Sequence, residues 1–139
     1  MRTLLTILSL FALASCSKNS DSQSGTVDYS GNYKGNISVT MAGAPSSSLT
    51  AYTIGVTQIG TIINLSNNVF TGSSGSLSNA TVTLNKNNVA ISPTTNLVQY
   101  GMAVFSGNNM TIDFREDSVR ISDNAVLRTK IWSGVLTKQ

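Results

Sequence analysis

Few residues in this chain are equipped for chemistry. Of 139 residues, nine are Lys or Arg, six are Asp or Glu, and none is His. Without imidazole there is no His general base and no His-ligated metal. Ser and Thr are plentiful, but a hydroxyl nucleophile needs a neighbouring base such as His or a desolvated Lys. Lys34, Lys86, Lys130 and Lys138 read as solvated. The one charge cluster is Asp113-Phe114-Arg115-Glu116-Asp117, with Arg120 and Asp123-Asn124 after it. Carboxylates this close can share acid–base work, or hold Ca²⁺ together with loop carbonyls. The spacing is not that of an EF-hand loop. Alternation puts Asp113 and Arg115 on the polar face of a strand whose other face is Ile112 and Phe114. The expectation is therefore a solvated edge with weak ion pairs. No catalytic residue, metal site or cofactor is expected.

Composition narrows the class further. Ser (21), Thr (16) and Asn (14) make up more than a third of the chain, while hydrophobic residues make up 40%. That is too apolar for broad disorder, and the charged fraction of 11% is too low for a coiled coil. One Cys cannot build a disulfide framework within the chain. A net charge of +3 is too small to argue for nucleic acid.

Any site must be carried by strands. From Asn32 onward apolar residues alternate with polar ones. The inward candidates are Tyr33, Ile37 and Val39, then Tyr52, Ile54 and Val56, then Ile62. Further along come Val82 and Leu84, then Tyr100, Met102 and Val104. Ile112 and Phe114, and finally Trp132 and Leu136, complete the set. Period-two patterning with Thr, Val, Ile and Tyr argues half-buried strands. Turn signals are read at residues 42–48, 72–75, 85–88, 107–109 and 123–124. No segment after residue 16 carries a helical stripe. The pattern predicts an all-β domain of about eight antiparallel strands.

The N-terminus is different. Met1-Arg2 precedes an apolar run over residues 3–12, too short for a bilayer span but the length of a signal-peptide core. Leu13-Ala14-Ser15-Cys16 then resembles the bacterial lipobox. The resemblance implies cleavage between Ser15 and Cys16, and lipid on the Cys16 thiol and new amino group. Two or three acyl chains anchor stably, at about 0.8 kcal/mol per buried CH₂. Ser17 stands where an Asp would resemble an inner-membrane retention signal, so the outer membrane is expected. Residues 17–30 are polar and read as a tether, with an r.m.s. span on the order of 20 Å. The expected organisation is a signal peptide over residues 1–15, a lipidated tether over 16–30 and a barrel over 31–139.

An antiparallel meander can close into an up-and-down barrel or stack as a sandwich. Closure is favoured by Tyr33-Lys34-Gly35 in the first strand and Trp132-Ser133-Gly134 in the last. Each puts an aromatic and a Gly on one face, and an aromatic of one strand covering the Gly of the other would give both glycines a reason. Gly31-Asn32-Tyr33 resembles the Gly-x-Trp opening of lipocalin and calycin barrels, with Tyr for Trp. The layout is similar to small lipocalin-like domains of bacterial lipoproteins. That resemblance implies a basic residue, Arg128 or Lys130, packed over the opening aromatic. Tyr33, Tyr52, Tyr100, Met102, Phe114 and Trp132 are the candidates to line an apolar pocket at the barrel mouth; their plainer role is core packing. Asp117-Ser118-Val119 resembles an O-glycosylation acceptor of some exported bacterial proteins.

The expected function is a membrane-anchored, non-catalytic binding module for a small apolar ligand or an envelope protein. The alternative is a structural or interaction lipoprotein with a filled barrel and no small-molecule ligand.

Overall fold

The structure is a computed structural model that describes residues 27–67 and 73–139. The expected signal peptide, Cys16 and most of the tether lie outside the described residues. Among those described, eight strands run in order: β1 (Gly31–Met41), β2 (Ser47–Ile59), β3 (Ile62–Ser66), β4 (Ser73–Ser78), β5 (Thr81–Ser92), β6 (Thr95–Ser106), β7 (Asn109–Arg120) and β8 (Val126–Lys138). Each pairs antiparallel with its neighbour in sequence, and β8 returns to β1 to close the barrel. This is the all-β up-and-down architecture expected from the period-two pattern, and it is compatible with a lipocalin-like fold.

The closing ladder joins β1 to β8 through nine pairs, from Tyr33 opposite Lys138 to Met41 opposite Lys130. Gly35 and Gly134 sit on this seam, but aromatic rings do not explain them. Gly35 lies opposite Leu136, and Gly134 opposite Ile37. A Cβ on Gly35 would run into the carbonyl oxygen of Val135, and one on Gly134 would come within 2.6 Å of the carbonyl oxygen of Asn36. Backbone approach between the two strands is the reason for both glycines. The basic residue beside the opening aromatic is Lys138; Lys130 lies over the Trp132 ring instead, at 5.0 Å, and Arg128 lies against Met41.

The interior is filled by one continuous cluster. Tyr33, Ile54, Ile63, Val82, Ala103, Met110, Phe114 and Leu136 have no solvent exposure. The end where the chain enters is closed by aromatics. Tyr29 stacks on Phe105 at 4.4 Å, Tyr33 packs on the same ring, and the Tyr33 hydroxyl donates to the Tyr29 carbonyl. Tyr29 N–H donates to the Gln58 side chain and Gln58 N–H to Ser30 Oγ. Tyr29 and Ser30, counted with the tether in the sequence, are thus part of the folded body.

Three local expectations change. In β3 the inward residues are Ile63 and Leu65, and Ile62 faces out at 43% exposure. In β6 the inward residues are Ala103 and Phe105, whereas Met102 (47%) and Val104 (38%) face out. Two expected turns are strand: Ser73-Ser74-Gly75 belongs to β4, and residues 85–88 run through β5. Instead the chain turns at Gly60-Thr61 and Asn79-Ala80; it turns also at Pro93-Thr94, where Pro93 ends the strand through Val89 and Ile91 as the sequence predicts. Asn79 and Ala80 both have positive φ (49° and 60°), as a two-residue hairpin turn requires.

If the seam depends on bare backbone, Gly134→Ala should destabilise the barrel by roughly 1–3 kcal/mol, the cost of overpacking a close contact. Urea unfolding should show a lower midpoint. Ser133→Ala, on an exposed neighbour, should stay within about 0.5 kcal/mol of the parent. Equal midpoints for all three proteins would show that the seam has room to spare.

Candidate functional site

The sheet has two faces, and which one is buried changes along its height. Alternate residues of a strand point to opposite faces, and residues paired across a ladder share a face. β6 and β7 pair without a break over twelve positions, from Thr95 opposite Arg120 to Ser106 opposite Asn109. In the lower half the inward layer is Gly101 and Phe114, Ala103 and Ile112, Phe105 and Met110. Higher up, the same inward face carries Gln99, Glu116 and Lys130. Gln99 Nε2 donates to Glu116 Oε2 at 2.9 Å, and Lys130 Nζ lies 3.8 Å from Glu116 Oε1. A polar lid therefore caps the core below the mouth.

On the outer face at this height, Val98 and Asp117 are only 7% and 5% exposed. A cavity of about 340 Å³ opens there. Its aliphatic lining is Val98, which is buried, Val119, and the exposed Ile121 and Val126, with Tyr100, Asp117 and Arg120 beside them. Asn88, Asn96 and Asn124 ring it, from β5, β6 and the β7–β8 turn. Ile121 N–H donates to the Thr94 carbonyl, and Arg120 N–H to the Ala125 carbonyl. The first bond ties the β7–β8 turn to the β5–β6 turn beside the cavity, and the second closes the β7–β8 hairpin on itself. A shallower apolar depression of about 310 Å³ continues below Tyr100 over Gly101, Met102 and Ile131.

Asp117 organises the cavity wall. Its Oδ1 accepts from Thr129 Oγ1 at 2.6 Å and from Arg115 Nε at 3.1 Å; its Oδ2 accepts from the Tyr100 hydroxyl at 2.8 Å. Three adjacent strands, β6, β7 and β8, each supply a donor. The expectation of a solvated charge cluster is corrected here: Asp113 is exposed, but Asp117 is buried and fully engaged. Burial alone would raise its pKa. The hydrogen bonds from Thr129, Tyr100 and Arg115, with the guanidinium charge, outweigh burial and hold it below the ordinary carboxylate value. Burial first, then the bond and charge of Asp117, push the Tyr100 phenol up.

The six candidate pocket residues do not line one pocket: they fall into a core group, a pair on the outer face and Tyr52 by itself. Tyr33, Phe114 and Trp132 are core. Tyr52 is half-buried at the rim, its hydroxyl donating to Asn67 Oδ1 at 3.1 Å, beside a wide depression with Leu49 and Thr50. Tyr100 and Met102 lie on the outer face. Of the six, only Tyr100 lines the 340 Å³ cavity. Ser118 of the triplet resembling a glycosylation acceptor is half-buried within the β6–β7–β8 ladder, opposite Leu97 and Arg128. Cys16 and Ser15 lie outside the described residues.

Sequence reasoning named Asp117 but missed its burial and its partners. Thr129 and Tyr100 are its neighbours only through ladder register, which no local motif encodes. The three asparagines carried no signal in a chain this rich in Asn.

Comparison with family models, with curated proteins and with solved structures gives no match to this chain.

Asp117→Asn should cost about 1–3 kcal/mol, because it removes a buried charged acceptor and leaves a donor unmatched. The sign with pH follows from linkage. A carboxylate with a depressed folded-state pKa contributes its full stabilisation above the ordinary range and loses it as pH falls through the folded value. The parent should thus lose melting temperature below about pH 4, and the Asn variant less steeply. Parallel acid limbs for the two proteins would rule out this role.

Proposed function

We propose that the protein is a lipid-anchored, non-catalytic binding module of the bacterial cell envelope, held at Cys16, and that it binds with its outer surface. The observation that carries this reading is a contrast. The barrel interior is occupied by the protein's own side chains, while the cavity beside Asp117 opens on the outer face. A filled barrel supports surface binding over carriage of an apolar guest inside it.

The anchor is supported by the basic start, the short apolar core, the box Leu13-Ala14-Ser15-Cys16 and the polar stretch after it. The residue after the Cys, Ser17, supports the outer membrane over the inner one. The barrel end that receives the chain also exposes Val27, Ile59 and Ile62, apolar side chains suited to a lipid boundary. Catalysis finds little support. Asp117 is held ionised by three donors, which makes it a weak base, and Arg115 is committed to it.

A protein partner is the second reading, and the outward Met102, Val104, Ile131 and Val135 on β6 and β8 favour it. Nucleic acid has no support in a chain of this charge.

Metabolic labelling with an alkynyl palmitate tests the anchor: the parent should label and Cys16→Ala should not. An unlabelled parent protein removes the lipoprotein reading. Native mass spectrometry of protein taken from its host should show no apolar guest beyond the anchor lipid. A stoichiometric one would return binding to the barrel interior.

A further inference from the structure

We propose that the outer-face cavity is a site for a neutral saccharide, a single sugar or the end of a short glycan. This rests on the reading of the protein as a binding module and names the ligand class of its site.

Charge comes first. The ionised groups at the cavity are already paired: Asp117 with Arg115 at 3.1 Å, and Arg120 with Asp123 at 2.9 Å. A charged ligand would find no uncompensated partner of opposite sign in the wall. What remains for a ligand is neutral and two-sided. Asn88, Asn96 and Asn124 each offer a carbonyl acceptor and an amide with two donors. Forks of that kind match neighbouring hydroxyls, which also donate and accept.

Shape comes second. The same lining carries aliphatic side chains, Val98, which is almost wholly buried, with Val119, Ile121 and Val126, and the Tyr100 ring beside them. A sugar ring presents that same pattern, hydroxyls around its rim and C–H groups on its faces. The volume of about 340 Å³ is at the small end of ligand cavities, roughly 300–1,000 Å³, which suits one sugar unit better than a lipid.

Topology argues against the nearest rival. Carboxamides also suit peptide groups, but an extended peptide docks most readily by adding a strand to a sheet edge. The barrel is closed, and among the described residues its open edge is the part of β5 above Leu84, which pairs with β6 alone; the cavity opens instead on the outer face of the sheet, where strand addition does not reach.

The site also faces the right way. It lies between the β5–β6 and β7–β8 turns, while the chain enters at the opposite end, beside the β2–β3 turn. An anchored molecule would hold it away from its own membrane.

The test uses the full mature lipoprotein in nanodiscs. Saturation-transfer difference NMR is run against glucose, galactose, mannose, N-acetylglucosamine and their short oligomers, with glucuronate as an acidic control. A tryptic peptide mixture is screened in parallel. At least one neutral sugar should give saturation transfer. Asn96→Ala and, separately, Asn88→Ala should weaken it at least tenfold while the melting temperature stays near that of the parent. Two single variants guard against one of them failing to fold. Preferential binding of glucuronate overturns the neutral class. Peptide binding without sugar binding overturns the saccharide and leaves the binding module standing. Sugar binding that survives both variants moves the site elsewhere and overturns the assignment. No binding of sugars or peptides by a folded protein overturns the saccharide and, with it, support for the module; the palmitate experiment judges the anchor separately.

Discussion

Nine residue pairs join β1 to β8, and Tyr33 meets Lys138 across almost the whole folded unit. Every other feature depends on that ladder being made. It gives all eight strands two neighbours, so that among the described residues backbone is left unpaired only where a long strand outruns a short one, as in β5 above Leu84. It encloses the cluster around Tyr33, Ile54, Phe114 and Leu136, which an open sheet would expose on one side. It is also the least local contact in the molecule, so its entropic cost falls late and favours slow folding. The two seam glycines lower the steric barrier at that step by letting the backbones meet without side chains between them.

Closure alone does not make the outer cavity. β3 and β4 have five and six residues, while β5, β6, β7 and β8 have twelve or thirteen. The long hairpins therefore rise beyond the core that the short strands help to wall. There the twist inherent in strands is free to coil the sheet. Register breaks between Leu84 and Asn87, and between Ser118 and Val119, fall in this projecting part. Extra residues of this kind bend a strand and increase its twist. The face that is outside lower down thereby comes to enclose Val98 and Asp117. A carboxylate can sit there because three strands bring it three donors, without which its burial would be too costly to keep it charged.

The alternation that specifies a strand is visible one segment at a time, and so are most of its ends. Class, closure and the eight-strand meander were legible for that reason. What a segment cannot display is the size of its neighbour. Along β6, Val98, Tyr100, Met102 and Val104 outweigh Gln99, Gly101, Ala103 and Phe105, and the bulkier set looks like the core set. The structure chooses the lighter one because Phe114 and Ile112 on β7 already fill the space opposite Gly101 and Ala103. In β3 both parities are apolar, and Leu65 opposite Val56 decides between them. β4 was unreadable for the converse reason: Ser73 and Gly75 are small enough to be buried with no apolar signal at all. Asp117 belongs to the same lesson, since Tyr100 and Thr129 are beside it only through register.

A barrel this small has a consequence for how it can bind anything. Its interior diameter is set by strand number and tilt, and eight strands leave a bore that side chains fill. Hollowing it would remove the packing that stabilises closure, at about 2–5 kcal/mol for each large side chain cut back to Ala. Binding on the outside carries no such penalty, because the projecting hairpins contribute little to the core. Twelve residues of β7 span about 40 Å along the strand, and a tilt of 35–45° leaves about 30 Å of height. The cavity sits near the top of that rise and the chain enters at its foot. Stability and recognition are thus assigned to different ends of the same strands. Asn88, Asn96 and Asn124 can therefore change with the ligand while Tyr33, Phe114 and Leu136 stay fixed by packing.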